Sequence, residues 1–225
     1  MIKLTQRLKK IASFVKSGDV ICDAGTDHGY IPAYLISEGT VRCAYATDIN
    51  EGPLENAKCT ARQYGVFDKI KFYLTDGLRG VPEGDINTVI IAGMGGETIR
   101  DILRACKWVK NDKKLILQPQ TKISELMGWL YDGGFGVEDM CLVKDDGRIY
   151  LIIAARFGIK PLCRDYLEYL YEKGDGLFDE YISALISRQR AIVKGLAAGK
   201  SSENEYKNAK DELFRLESFL KREGE

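Results

Sequence analysis

The chain has 225 residues, 45% hydrophobic and 29% charged, which excludes a disordered polypeptide and suffices for one full core plus a small appendage. Its 33 Lys and Arg balance 33 Asp and Glu, so no global basic field announces a nucleic-acid binder, and any such surface must be local. No apolar run approaches the length of a membrane span and the first residues, Met1-Ile2-Lys3-Leu4-Thr5-Gln6-Arg7, lack the pattern of a signal peptide, so a soluble cytoplasmic protein is expected.

The opening stretch places apolar residues at 4, 8, 11, 12 and 15, the spacing of a helix, with Lys3, Arg7, Lys9, Lys10 and Lys16 on its other face. Strand-like runs then alternate with helical patterns. The runs are 20–23, 42–47, 70–74, 88–92 and 114–117; the helical patterns are 30–38, 51–64, 97–108 and 121–132. This order predicts a mostly parallel sheet covered on both faces. Two further strands, 137–143 and 149–155, flank Asp146-Gly147, a hairpin turn signal. Seven strands with one antiparallel favour the methyltransferase variant of the doubly wound fold over a six-stranded dinucleotide-binding sheet. After Gly158 the pattern changes. Helical spacing runs from Leu177 to Leu196 and, beyond Gly199-Lys200-Ser201-Ser202, from Tyr206 to Leu220, with Ser202 and Glu205 as a capping box. An antiparallel helical hairpin is expected, with domains at 1–158 and 159–225.

The six cysteines are evenly spread without a CxxC pair, and His28 is the only histidine. A zinc site and a Ser-His triad have little to work with, so no metal is expected, and the thiols read as reduced, mostly buried small hydrophobes.

The sharpest chemistry lies in Val20-Ile21-Cys22-Asp23-Ala24-Gly25-Thr26-Asp27-His28-Gly29-Tyr30. A strand ends in an acid, and a glycine turn opens a helix whose free amides face a ligand. Gly25 and Gly29 stand four apart, and Asp27 occupies the place where a dinucleotide fold wants its second glycine. An acid there repels a pyrophosphate but suits the cationic sulfonium and amino groups of S-adenosylmethionine. An ordinary strand-to-helix turn is the plain alternative. Asp48 ends the second run, where acids accept bonds from ribose hydroxyls; it can equally cap the next helix, a role for which Asn50 competes. Asp76-Gly77 ends the third run, as an adenine contact or a simple turn. Ala92-Gly93-Met94-Gly95-Gly96 follows the fourth, where glycines admit a flat ring to the backbone or merely form a flexible turn. Three acids at consecutive strand ends say more than any one, because open α/β sheets bind ligands at those ends.

Asp23-Ala24-Gly25-Thr26-Asp27-His28-Gly29-Tyr30, Ala92-Gly93-Met94-Gly95-Gly96, Leu117-Gln118-Pro119 and Gly147-Arg148-Ile149-Tyr150 together resemble the bacterial tRNA (adenine-22-N1)-methyltransferase family, the TrmK-like class I methyltransferases, over residues 2–157. The resemblance implies a Rossmann-like methyltransferase domain followed by a helical hairpin, S-adenosyl-L-methionine as cofactor, and methylation of nitrogen 1 of an adenine in tRNA. It implies that Asp23, Gly25, Thr26, Asp27, His28 and Gly29 line the cofactor loop. Asp48 with Ile49 would hold the ribose, Asp76 with Gly77 the adenine, and Ala92 with Gly93 the same pocket. Gly93, Met94 and Gly95 would face the target base, and Arg7 resembles a basic residue of the family's first helix near the site. Gln120 stands where the family pattern has Asn.

Nitrogen 1 of adenine carries a free lone pair at neutral pH, so the reaction needs alignment more than a base. Asp27 is the candidate for stabilising the cationic product. His28 reads as a hydrogen bonder that orders the loop, with a role as base the alternative. A paired adenine is blocked, so the base must be flipped, and Tyr30 is either the ring it stacks on or a buried ring packing the helix. The first helix and the cluster Arg100, Arg104, Lys107, Lys110, Lys113 and Lys114 are candidate phosphate contacts or solvated faces. The segment 159–225, with 12 Lys and Arg against 13 Asp and Glu, serves RNA docking by shape or dimerisation; a monomer is the favoured state. Methylation of another RNA, a small molecule or a protein, and a non-catalytic nucleotide-binding module, are the other readings.

Overall fold

The computed structural model describes residues 2–160, 163–199 and 202–221. Its contacts divide the chain into two compact units, Met1–Tyr169 and Leu170–Glu225.

In the first unit, strands β1 (Val20–Ala24), β2 (Cys43–Asp48), β3 (Ile70–Leu74), β4 (Thr88–Met94), β5 (Lys114–Pro119), β6 (Phe135–Asp145) and β7 (Arg148–Phe157) form one sheet in the order β3-β2-β1-β4-β5-β7-β6. β1 to β5 pair in parallel, and β7 runs antiparallel to both β5 and β6. This is the expected sheet of seven strands with one reversed. The reversal is local: Asp146 and Gly147 have φ of 47° and 71°, the left-handed pair of a two-residue turn whose twist matches the flanking strands.

The central strands are buried on both faces, which is why they read as apolar runs rather than alternations. Ile21, Ile90, Ile116 and Ile152 turn to one face, against Ile11 and Ala12 of α1 (Gln6–Ala12) and Leu35 and Ile36 of α2 (Tyr30–Ser37). Helix α3 (Glu51–Gln63) packs on β2 and β3, while α4 (Gly96–Ala105) contacts β4, β5 and α5 (Ile123–Asp132). α1 is shorter than the apolar spacing suggested. Thr5 caps it, its hydroxyl accepting the Leu8 N–H at 3.4 Å, and the Gln6 N–H donates to Asp145 Oδ1 at 3.2 Å. The first helix is thereby anchored to the β6–β7 turn.

Helix α6 (Tyr166–Lys173) was not expected from the sequence. Its eight residues offer only Tyr166, Leu167 and Leu170 as buried positions, too few to establish a period. The division between the two units falls inside it, and Gly158, with φ of 79°, follows the end of β7. In the second unit α7 (Phe178–Ala198) and α8 (Glu203–Lys221) form an antiparallel pair. Gln189 Nε2 donates to the Ala209 carbonyl at 2.9 Å, and Arg190 pairs with Glu217 at 2.7 Å. Tyr171, Phe178 and Phe219 meet edge to face within the unit. The capping box is present: the Ser202 N–H donates to Glu205 Oε2 at 3.0 Å, and the Glu205 N–H returns to Ser202 Oγ at 3.2 Å. Lys200 and Ser201 of the turn lie outside the described residues.

Candidate active site

A cleft of about 560 Å³ opens at the carboxyl ends of β1, β2 and β4. It brings together every residue the sequence singled out for the site except two. Arg7, Asp23, Gly25, Thr26, Asp27, His28, Tyr30, Asp48, Ile49, Asp76, Gly77, Ala92, Gly93 and Met94 line it. Gly29 and Gly95 are set back. Gly29 begins α2 at φ 65°, and a Cβ there would stand 2.9 Å from that of Ala57, so it serves helix packing. Gly95 caps α4, its Cα facing Thr121 Oγ1.

One side of the cleft is acidic. The Thr47 carbonyl accepts both the Gly25 and Thr26 N–H at 2.9 Å, pinning the glycine loop to β2. Gly25 has φ 72°, and a Cβ there would overlap Met94 Cε. Asp23 is 4% exposed. Burial pushes its carboxyl up to about 6; the Thr26 hydroxyl, donating to Oδ2 at 2.7 Å, opposes that, and the Asp48 charge adds to it. Asp48 accepts the Asn50 N–H at 2.9 Å on Oδ1 and the Asp27 N–H at 3.4 Å on Oδ2. These bonds aim the carboxylate, while the Asn50 side chain makes no capping bond. Asp76 is exposed and 3.6 Å from Arg79.

These residues fit S-adenosylmethionine. The cleft offers buried and exposed carboxylates as acceptors for the amino group and hydroxyls of such a molecule, and Gly25, at φ 72°, adopts a backbone conformation that side chains disfavour. Among the described residues no group of three or more His, Cys, Asp and Glu is placed to hold a metal, and no helix is long and apolar enough to cross a membrane.

The other side of the cleft is built from β4, β5 and α1. Gly93 sits in a β-bulge at φ 79°, exposed, with Arg7 Nη1 3.8 Å from where its Cβ would be. Arg7 is itself held: Nη1 donates to Gln118 Oε1 at 2.7 Å, and the guanidinium lies 5.3 Å from the Tyr150 ring centre. Tyr30 is 41% exposed, which corrects the reading of a buried packing ring. It stacks on His28 with ring centres 5.3 Å apart, and His28 Nε2 is 3.7 Å from Asp27 Oδ2.

Leu8, Ile31, Asn50, Thr98, Ile102 and Gln120 also line the cleft, and the sequence did not propose them as site residues. Leu8, Ile31 and Asn50 adjoin residues the sequence singled out, and Thr98 and Ile102 lie on a face of α4 that carries no signature. Gln118 was quoted as part of a motif but given no role. A glutamine ending the apolar run Lys-Leu-Ile-Leu was the available signal.

Of the two basic clusters, α1 and its flanks keep Lys3, Lys9, Lys10 and Lys16 exposed. The second is paired in part within the fold, while Arg104, Lys107 and Lys110 are exposed. Arg100 and Arg104 share Asp101, Lys113 meets Glu83 at 3.3 Å, and Lys114 is buried beside Glu138 at 3.6 Å. Lys110 lies over the Phe157 ring. Cys22, Cys106 and Cys141 are buried and Cys59 is exposed. Burial pushes the Cys22 thiol upward and that of Cys106 up to about 11, so both stay protonated at neutral pH.

The sheet order and the acid-lined cleft at its carboxyl edge define a class, and the sequence agrees: residues 4–153 match the methyltransferase domain family, to which the chain belongs. Within that class the chain is 26% identical to tRNA (adenine(22)-N(1))-methyltransferase of Bacillus subtilis, over 96% of this chain and 95% of that one. The crystal structure of the B. subtilis m1A22 tRNA methyltransferase TrmK superposes with a TM-score of 0.86 at 26% identity, covering 98% of this chain and 100% of the other. Streptococcus pneumoniae Sp1610, solved in complex with S-adenosyl-L-methionine, superposes at 0.85 with 27% identity, covering 97% of this chain and 100% of that one.

Proposed function

We propose that this protein is a methyltransferase that uses S-adenosyl-L-methionine to methylate nitrogen 1 of an adenine in tRNA, the position corresponding to adenine 22. The observation that carries the reading is the two-sided cleft, acidic at Asp23, Asp27 and Asp48 and open at Gly93 beside Arg7, in a chain similar along nearly its whole length to a tRNA (adenine(22)-N(1))-methyltransferase.

S-adenosyl-L-methionine supplies an electrophilic methyl group on a sulfonium. The chain's own residues bind and align. Asp48, aimed by two backbone amides, accepts the ribose hydroxyls; Asp23 accepts the amino group; Gly77 and Asp76 border the adenine. Gly93 and Met94 receive the target base, for which the exposed Tyr30–His28 stack offers a ring face once it has flipped. The lone pair of nitrogen 1 is already available, so no residue is asked to remove a proton before the transfer. Holding nucleophile and methyl in line is worth up to about 7–11 kcal/mol, and Asp27 offsets the positive charge that appears on the product. Lys3, Lys9, Lys10 and Lys16, exposed in and around α1, offer a surface for phosphates. As part of the same proposal, residues 1–158 carry the cofactor chemistry, residues 159–225 help to dock the RNA, and the protein acts in the cytoplasm as a monomer.

The test is to incubate the protein with labelled S-adenosylmethionine and bulk bacterial tRNA and to map the modified base. The expected product is 1-methyladenine in the D-arm region. Label in another nucleotide, or transfer to protein or small molecules but not tRNA, would refute the reading.

A further inference from the structure

Gln118 is fully buried at 0% exposure, directly after the apolar run Leu115-Ile116-Leu117, and does not itself line the cleft. Opposite it the β4–β5 ladder is irregular. Its register passes from Ala92↔Gln118 to Met94↔Pro119 and steps over Gly93. The bulge throws Gly93 out toward the cleft and takes its N–H from the ladder. The Gln118 side chain replaces the missing partner, with Oε1 accepting the Gly93 N–H at 3.2 Å. The same oxygen accepts Arg7 Nη1 at 2.7 Å, a bond that spans 111 residues of sequence. At the other end of the amide, Nε2 donates to the Pro119 carbonyl at 3.0 Å. Two donors meet one end and a carbonyl meets the other, so the amide has one satisfied orientation.

We propose that Gln118 is a positioning residue for methyl transfer: its buried amide oxygen clamps Arg7 and Gly93 together, so that the cation on the RNA-facing helix and the loop that receives the base hold one fixed relation. The proposal rests on the reaction assigned above. Arg7 stands on a short helix whose polar face is exposed lysine, and an arginine side chain there has many rotamers. Gln118 and the Tyr150 ring select one of them, over Gly93. The ordering cost is thus met in the free protein rather than when RNA binds.

Three side chains of similar length separate the possibilities. Methionine fills the volume but accepts neither bond, so it frees Arg7 and leaves the Gly93 N–H without its partner. Glutamate accepts both, the bond to Arg7 becoming charge-assisted, at the expense of a carboxylate oxygen facing the Pro119 carbonyl. Glutamate should therefore keep the clamp that methionine loses.

The experiment is a double-mutant cycle on the full-length protein: wild type, R7A, Q118M and R7A/Q118M, with Q118E alongside, each measured for tRNA methylation and for S-adenosylmethionine affinity. Q118M should lower kcat/KM for tRNA about as much as R7A, within about threefold, and leave cofactor affinity within about twofold. The double variant should be no worse than the poorer single one by more than about threefold. Q118E should recover most of what Q118M loses. Losses that multiply, a parallel fall in cofactor affinity, or a Q118E no better than Q118M would overturn the clamp. Should Q118M not fold, Q118E decides the matter. There R7A strands a buried carboxylate, so R7A/Q118E must be worse than the product of its singles, and plain multiplication refutes the proposal. A wild type that binds cofactor yet methylates no tRNA refutes the assigned reaction, and the proposal with it. An active wild type with independent effects refutes the proposal alone.

Discussion

Asp23 is held as an acid in a place that favours its neutral form, because burial and the nearby Asp48 charge push its carboxyl to about 6. The folded chain therefore binds a proton between about pH 4 and 6 that the unfolded chain releases. That contribution to stability is present below the unfolded value and lost as pH rises through about 6. Asp23→Asn should therefore melt higher than wild type at pH 8, by roughly 1–3 kcal/mol in the cofactor-free protein. The gap should close below pH 4, as thermal denaturation at a series of pH values will show. The same titration predicts that wild-type affinity for S-adenosylmethionine strengthens as pH rises through 6, while the Asn variant binds weakly and without that dependence. A second comparison concerns the loop tip. Asp27 is exposed with φ of 51°, and His28 stacks on Tyr30 rather than facing a reacting atom. In single-turnover methylation at saturating cofactor, His28→Asn should keep substantial activity and Asp27→Ala should lose more. The reverse order would call for a base mechanism. Asp23 and Asp48 were legible in the sequence because each stands at the end of a strand, and Asp27 because it interrupts the glycine turn. The orientation of Asp48 by the Asn50 and Asp27 amides was not, since it depends on how two loops meet in space.

Among the elements, the strands were readable because buried parallel strands are short apolar runs punctuated by Gly, Asp and Asn, and the Asp146-Gly147 pair has few conformations available. Helix α6 escaped because eight residues with three buried positions carry too little periodicity. The bulge at Gly93 escaped because it is a property of the β4–β5 register, visible only once Ala92 and Met94 are seen paired around it. The basic cluster from Arg100 to Lys114 is the opposite case. In sequence its acids are two, yet the fold brings in Glu83 and Glu138 from distant segments to meet Lys113 and Lys114. This separates the two candidate RNA surfaces experimentally. Reversing charge at Lys9 and Lys10 should weaken tRNA binding and lower the salt slope by about one unit for each phosphate no longer neutralised. Cofactor affinity should stay the same. Reversal at Arg100 and Arg104, which already share Asp101, should change the slope less. Binding isotherms between low and moderate salt will rank them.

At the scale of the molecule, every residue lining the cleft belongs to the first unit. The second unit contributes an aromatic cluster and helical stripes within itself. A chain ending after Gly174, where α6 stops at φ 66°, should keep S-adenosylmethionine binding by calorimetry. It should lose most tRNA methylation, because a large folded RNA needs a second surface to fix its register. Full methylation by the shortened chain would assign α7 and α8 to something else, most simply self-association.

The position of β7 also sets an order of assembly. It is the last strand made, yet it lies between β5 and β6, so β6 has no sheet neighbour until β7 has left the ribosome. Helix α1 rests on β6 and β7, and its Gln6 N–H waits for Asp145. The first helix synthesised is therefore among the last to dock. A nascent chain that has reached β4 and β5 already owns the glycine loop, the acids of β1 and β2 and the Gln118 partner of Arg7, but Arg7 still lacks Tyr150 to stack on. On the proposed reading, cofactor recognition and acceptor recognition thus mature at different times in biosynthesis, and the Arg7 side of the cleft is complete only when the sheet is.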